Sequence, residues 1–450
     1  MSGFTCDECS RADLLRAAAG RGLPAIEPGM PTPAGTGLTR RGFVARSLGL
    51  ALAVYGSGRL NVFEEGIANA ASLPQEPILV TVFLQGGADS LSLLYPQGDP
   101  LYTKYRQRLA VSGGTAFAED PRLFWHPALA PLAKLSDEGK VSVLPAVGYD
   151  HPDQSHFTSR HFWEVGATDP RLLSGWMGRY LDAVGTADNP LQGLSLAGSL
   201  QPTLATTRVP VAAISAPDQY DFWTQNVWGE PQDRMLDALG SLGAIRTTDR
   251  AMRDAANVAL QSDRLRRQLA PFSGKGAVEP PVAYPQGSDG FPKQLAGLAA
   301  MIGAGLPLRC VSLEAAGQFD THADQLAELT PALTTTAASL FAFQRDLEAR
   351  GVADRVLTLV WSEFGRRAQE NGSGGTDHGA AGAAFVMGTR AAGKLVGEFP
   401  GLNALDPDGN LRATSDFRAV YAALLEQWLS FDAALVIPGA SKFTRPQLVK

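Results

Sequence analysis

Two short turns set an acid beside an imidazole: Phe319-Asp320-Thr321-His322 and Gly374-Gly375-Thr376-Asp377-His378-Gly379. Two more acid-bearing turns, Gly86-Gly87-Ala88-Asp89 and Ser362-Glu363-Phe364-Gly365-Arg366-Arg367, also follow apolar runs. Carboxylate oxygens and imidazole nitrogens are the donors that hold divalent cations. Mixed sets suit zinc, manganese or iron, and carboxylates alone suit calcium or magnesium. The chain has six histidines, and His322 and His378 both fall in these turns. Any one such turn reads more readily as a loop whose Asp bonds its own backbone. Their recurrence at the ends of successive strand-like runs is what points to a metal site.

A second chemical element is Asp153-Gln154-Ser155-His156-Phe157, just ahead of a helical stretch. Ser155 has two readings there: an N-cap for otherwise unpaired N–H groups, or a nucleophile at the positive end of a helix that attracts phosphate or sulfate. His156 is a ligand, a base or a packed imidazole. Arg366 and Arg367 follow Glu363 closely, so this turn either holds an anionic substrate or neutralises its own charges. His126 precedes Pro127 as a helix-entry residue, His151 reads as a loop residue, and His161 lies on a helix face.

These residues need a scaffold that brings distant turns together. Ile78–Leu84, Val141–Val147, Leu308–Leu313 and Val356–Trp361 are apolar runs without polar alternation, the pattern of buried parallel strands. Ala383–Met387 reads as a further short strand, and Leu194–Leu196 and Val209–Ile214 as two more. Helical spacing covers 127–138, 156–164, 176–184, 250–269, 295–306, 326–350 and 417–429, with Gly139 and Gly351 closing two of these helices. Strand–helix alternation predicts an α/β three-layer sandwich with a largely parallel central sheet. Carboxylates at the carboxyl ends of neighbouring strands are where such a sheet builds its site. Residues 190–290 are less regular, with a Pro/Gly stretch at 271–292, and read as an insertion or cap.

The chain has 450 residues, 45% of them hydrophobic and 19% charged, with a formal net charge of −6. That composition is ordinary for a soluble globular domain and gives no basic footprint for nucleic acid. The first 70 residues read as a leader. Thr39-Arg40-Arg41-Gly42-Phe43-Val44 resembles the twin-arginine export motif, a weakly apolar run spans 47–56, and Ala68-Asn69-Ala70 offers a cleavage site. The apolar run is too short for a stable transmembrane anchor. The expectation is a removed signal over 1–70 and one domain over 75–450. The chain would be exported through the twin-arginine translocase to the periplasm, cell wall or exterior. Cleavage removes Cys6 and Cys9 and leaves Cys310 alone, so no internal disulfide is expected.

Gly86-Gly87-Ala88-Asp89-Ser90, Ser155-His156-Phe157, Phe319-Asp320-Thr321-His322, Trp361-Ser362-Glu363-Phe364-Gly365-Arg366 and Gly375-Thr376-Asp377-His378-Gly379 together resemble the signatures of a family of secreted bacterial proteins, domain of unknown function 1501. The resemblance covers roughly residues 78–430. That family is placed with the alkaline-phosphatase-like enzymes, so the resemblance implies their fold and a two-metal hydrolase layout. It implies Asp89 as the first metal-binding Asp and Ser155 near the nucleophile position. It further implies Asp320 and His322 as the middle ligands and Asp377-His378 as the late pair. Two departures stand out: Glu363-Phe364 occupies the place of a common Asp-His pair, and Asp320-x-His322 replaces a longer spacing. A single metal is therefore as open as two.

The leading expectation is an exported, metal-dependent hydrolase of small phosphate or sulfate esters. Asp89, Asp320, His322, Glu363, Asp377 and His378 would be ligands, and Ser155, His156 and Arg366 catalytic groups. Its cofactor would be a divalent metal, zinc first, with manganese, calcium or iron as alternatives. The rival expectation is a non-catalytic extracytoplasmic binding or assembly protein that keeps a degenerate metal site. A third is a redox or other enzyme using the same pocket.

Overall fold

Ile78–Phe83 is apolar at all but one position and rich in β-branched residues, which suits a strand covered on both faces. It lies at the centre of a nine-stranded sheet. The computed structural model describes residues 54–55, 76–217, 227–244, 246–272 and 279–450. Apart from Val54–Tyr55, the leader expected over 1–70, with Cys6 and Cys9, lies outside the described residues.

In chain order the main-sheet strands are β1 (Val54–Tyr55), β2 (Ile78–Phe83), β3 (Val141–Gly148), β4 (Gly193–Leu196) and β5 (Val211–Ile214). They continue as β6 (Cys310–Glu314), β7 (Val356–Trp361), β8 (Gly382–Met387) and β9 (Ser415–Asp416). Their spatial order is β1-β5-β4-β6-β2-β7-β8-β3-β9. The run β5-β4-β6-β2-β7 is parallel throughout, as is β3 with β9. Only β1 and β8 run against their neighbours.

Strand alternation feeds two cores. Ile78, Val80 and Val82 face one that also holds the buried sides of helices Ala130–Asp137, Phe291–Gly303 and Gln325–Ala349. Leu79 and Phe83 face another, shared with helices His156–Val165, Trp176–Val184 and Phe417–Gln427. Each fully buried aliphatic or aromatic side chain there contributes about 1.5–3 kcal/mol, which fixes the register of β2 between its parallel neighbours. The result is the three-layer α/β sandwich with a largely parallel sheet.

Two expectations change. The two short strands expected within an insertion from 190 are present as β4 and β5, but they are parallel strands of the main sheet. Beyond them, helices Glu230–Leu242 and Arg250–Leu269 pack on each other. The turn carrying Asp377 and His378 does not close a parallel strand. It belongs to a small antiparallel pair, Arg366–Glu370 with Thr376–His378, that leads into the start of β8.

That reversed direction matters for the site. Because β8 runs antiparallel, its beginning lies at the edge where its parallel neighbours end: Gly382 pairs with Val147 near the end of β3. Phe83 pairs with both Trp361 and Glu314, so β2, β7 and β6 finish level. Five loops from five strands therefore share one edge. No helix among the described residues is long and apolar enough to cross a membrane.

Candidate metal centre

Each ligand-bearing loop is held by local rules before the ligands meet. Gly86 has φ +118°, and a Cβ there would stand 2.4 Å from the Asp320 backbone nitrogen, so only glycine lets the β2 loop approach the β6 loop. Ser155 caps the helix His156–Val165, its hydroxyl accepting from the Phe157 N–H at 3.3 Å. This cap makes His156 the first helical residue and aims it at the sheet edge.

Three donor-bearing residues then converge. His156, Asp320 and His378 each offer one ligand atom within 4.8 Å of the other two. The Asp320 Oδ1 lies 3.6 Å from His156 Nε2 and 3.6 Å from His378 Nε2. His322 borders two of the three: its Nε2 is 3.2 Å from Asp320 Oδ1 and 2.9 Å from His378 Nε2. Metal–ligand bonds of about 2.0–2.1 Å at tetrahedral angles separate neighbouring donors by about 3.3–3.4 Å. The two separations from Asp320 Oδ1 within the triad lie slightly above that edge length, and the two His322 contacts lie below it.

The tautomers favour the same reading. His156 Nδ1 lies 2.7 Å from Glu363 Oε1, and His378 Nδ1 lies 2.8 Å from the Gln154 carbonyl. An imidazole nitrogen facing an acceptor carries the proton, so in a neutral ring Nε2 keeps the lone pair that a cation held beside Asp320 would take, and in a ring protonated on both nitrogens Nε2–H donates to Asp320 instead. Phe364, fully buried, packs against both rings, with centroids 4.8 Å from His156 and 4.9 Å from His378.

The remaining expected residues take other places. Glu363 is buried and accepts from the Gly86 and Gly87 N–H groups at 3.1 and 3.0 Å and from Ser362 Oγ at 2.9 Å, in addition to His156. It faces the Nδ1 side of His156 and does not join the cluster. Asp89 does not join it either. Its carboxylate is fully buried and paired with Arg106, and it also accepts from Ser92 Oγ at 2.7 Å and Gln325 Nε2 at 2.6 Å. Asp377 is exposed at the rim, 3.7 Å from His322 Nδ1, and accepts from Asn371 at 3.0 Å. Arg366 was expected to clamp an anion, but its guanidinium is fully buried. It donates to the Gly86, Gly87 and Thr376 carbonyls and to Asp320. Those contacts make it a tie that holds Asp320 in place.

Electrostatics follow from this set. Burial pushes the Asp320 carboxyl up, but hydrogen bonds from His156, His322 and His378 and the Arg366 charge hold it well below the usual carboxylate range. Glu363 behaves alike: burial opposes ionisation, and the His156 contact and backbone N–H groups overcome it. Two carboxylates against one guanidinium leave the site net negative when the imidazoles are neutral, the balance that receives a divalent cation. The donor chemistry thus fits a divalent cation.

Gln325 and Arg106 escaped the sequence reading, although both bear on the site. Arg106 carries no motif. Gln325 had one available signal, its place at the first turn of a long helix directly after the Asp320 turn. His126 is the helix-entry residue expected, its Nδ1 accepting from the Ala128 N–H at 3.0 Å, and Cys310 is buried within β6.

No curated protein matches the chain. Among solved structures, a protein in the alkaline phosphatase superfamily from Vibrio parahaemolyticus is 8% identical over 96% of this chain and 76% of its own, with a TM-score of 0.30. Ps i-CgsB in complex with k-i-k-neocarrahexaose is 10% identical over 82% and 74%, TM-score 0.32. The lipoteichoic acid synthase LtaP from Listeria monocytogenes is 7% identical over 80% and 72%, TM-score 0.28. Likeness at this level carries no inference about the site. The family model described as protein of unknown function (DUF1501) matches residues 142–408, more than half the chain, and the protein belongs to that family.

Proposed function

We propose that this protein is an exported metal-dependent hydrolase acting on small phosphate or sulfate esters. The observation that carries the reading is the meeting of His156 Nε2, Asp320 Oδ1 and His378 Nε2, with both imidazoles turned by acceptors on their far side. These three residues would hold the cation, which when bound supplies Lewis-acid polarisation of an ester oxygen and a lowered pKa for a coordinated hydroxyl or water. Glu363 keeps His156 in its donor tautomer, and Arg366 keeps Asp320 ionised and oriented. Ser155, at the positive end of its helix, is the first candidate for nucleophile, since that end favours an incoming anion. The twin-arginine-like leader supports export by the corresponding translocase.

A second reading has its own observation. His322 stands close enough to Asp320 and His378 to fill a fourth position, and a closed four-donor site is a structural one. In that case the protein is a non-catalytic extracytoplasmic binding or assembly module.

Metal analysis of the purified mature protein, joined to turnover of aryl phosphate and aryl sulfate esters, separates the two. The hydrolase reading expects about one equivalent of transition metal per chain, the stoichiometry of a three-ligand catalytic site, and turnover lost in Asp320→Ala. Metal without turnover, with chelation lowering the melting temperature, supports the structural reading. No metal and unchanged activity in Asp320→Ala overturn both.

A further inference from the structure

Behind the cluster lies a buried polar network built on three side chains with no solvent exposure: Asp89, Arg106 and Gln325. Arg106 donates through both terminal nitrogens to Asp89, and also to the Ala368 carbonyl at 2.7 Å and the Arg367 carbonyl at 2.9 Å. It therefore fastens the strand that carries Arg366. Gln325 works in the other direction. Its Nε2 donates to Asp89 Oδ2 at 2.6 Å and Ser92 Oγ at 3.1 Å, while its Oε1 accepts from Thr321 Oγ1 at 3.0 Å and Thr376 Oγ1 at 2.7 Å.

Those two threonines are well placed. Thr321 sits between Asp320 and His322, and Thr376 lies two residues before His378. The Thr376 N–H also donates to the Thr321 carbonyl at 3.0 Å. One planar amide thus pins together the loop that carries Asp320 and the strand that carries His378. Both are fastened in turn to the Asp89–Arg106 pair. The position calls for two donors on one side and an acceptor for two hydroxyls on the other, which a glutamine supplies and neither glutamate nor an aliphatic residue can.

We propose that Gln325 is a positioning residue of the metal centre, setting the separation of Asp320 from His378, with the Asp89–Arg106 pair as its anchor. The proposal rests on the metal-centre reading above. It gives Asp89 a task other than coordination: the carboxylate holds the amide that holds the ligands. Outer partners of this kind are worth about 10–100-fold in metal affinity.

The test uses the mature full chain carrying Gln325→Leu, Thr376→Val or Tyr284→Phe. The last is a control that removes a buried hydrogen bond to Asp346, near the far end of the same helix. Zinc affinity is read by chelator competition, and amide hydrogen exchange is followed at residues 320–322 and 376–378 without metal. The proposal expects Gln325→Leu and Thr376→Val to weaken zinc binding about 10–100-fold and to speed exchange at both segments. Tyr284→Phe should leave both readouts at wild-type values while lowering stability. Wild-type affinity and exchange in Thr376→Val and in any folded Gln325→Leu overturn it, and so does an equal loss in Tyr284→Phe. If the wild-type chain binds no zinc, the metal-centre reading fails, and with it a role for Gln325 in positioning ligands. Faster exchange alone would then mark Gln325 as a packing residue.

Discussion

Replacing Glu363 by glutamine keeps the shape of the side chain and removes its charge. Oε1 accepts from His156 Nδ1 at 2.7 Å and Gly86 N–H at 3.1 Å, and Oε2 from Gly87 N–H at 3.0 Å and Ser362 Oγ at 2.9 Å. If the amide oxygen keeps the Oε1 seat, the NH2 group takes the other and faces the Gly87 N–H donor to donor. An orphaned buried N–H costs about 1–3 kcal/mol, and the bond to His156 loses about 1 kcal/mol when it is no longer charge-assisted. Glu363→Gln should therefore cost about 2–4 kcal/mol in denaturant unfolding. Zinc affinity should fall about 10–100-fold with stoichiometry unchanged, because an orienting partner is lost and not a ligand.

The pH dependence has a definite sign. The folded-state pKa of Glu363 is depressed. Its contribution is therefore present above the unfolded value of about 4.5 and lost as pH falls through the folded value. The gap between wild type and Glu363→Gln should narrow in that acid range. Loss of zinc stoichiometry as complete as in Asp320→Ala would make Glu363 a ligand and refute the reasoning. So would unchanged stability and affinity.

Other substitutions probe the scaffold. Gly86→Ala combines a positive φ with a Cβ 2.4 Å from the Asp320 nitrogen, so unfolding experiments should show a loss of more than about 3 kcal/mol. Phe364→Ala empties the space against both imidazoles and should cost about 3–5 kcal/mol in stability, with weaker zinc binding in the same preparation. Glu138, held by Arg345 and Lys140, has its pKa pulled down to about 2. Its stabilisation is fully present above about pH 4.5 and is lost as pH falls through 2. Being near the surface, it is worth of order 1 kcal/mol or less. Acid titration of Glu138→Gln should show that acid-labile component gone, and added salt should shrink the difference from wild type at neutral pH.

The strands that carry the site were legible because their apolar runs lack alternation. Ile78–Phe83 and Val356–Trp361 are short, rich in β-branched residues and bounded by turns, which favours strands covered on both faces over helices. Asp320, His322 and His378 stood out as donors in glycine-flanked or acid-bearing turns. Strand direction was not legible. A short run such as Gly382–Met387 carries no mark of running backward, so the way His378 reaches the edge was missed. Strands β4 and β5 were read as short strands, but with four residues each in a region dense in Pro and Gly they bore no mark of belonging to the main sheet. Carboxylate roles were hidden for another reason: whether an Asp binds metal or an arginine depends on its partner. Asp89 pairs with Arg106, which is itself held by the Ala368 carbonyl of the small Arg366–Glu370 strand, and Glu363 finds His156 across 207 residues of chain.

The proposed metal centre stands most directly on anomalous diffraction from crystals of the protein grown with zinc. It predicts one strong peak about 2.0–2.2 Å from His156 Nε2, Asp320 Oδ1 and His378 Nε2, with Asp89 and Glu363 outside bonding distance. An empty site with zinc present, or a peak centred on Asp89, would contradict it.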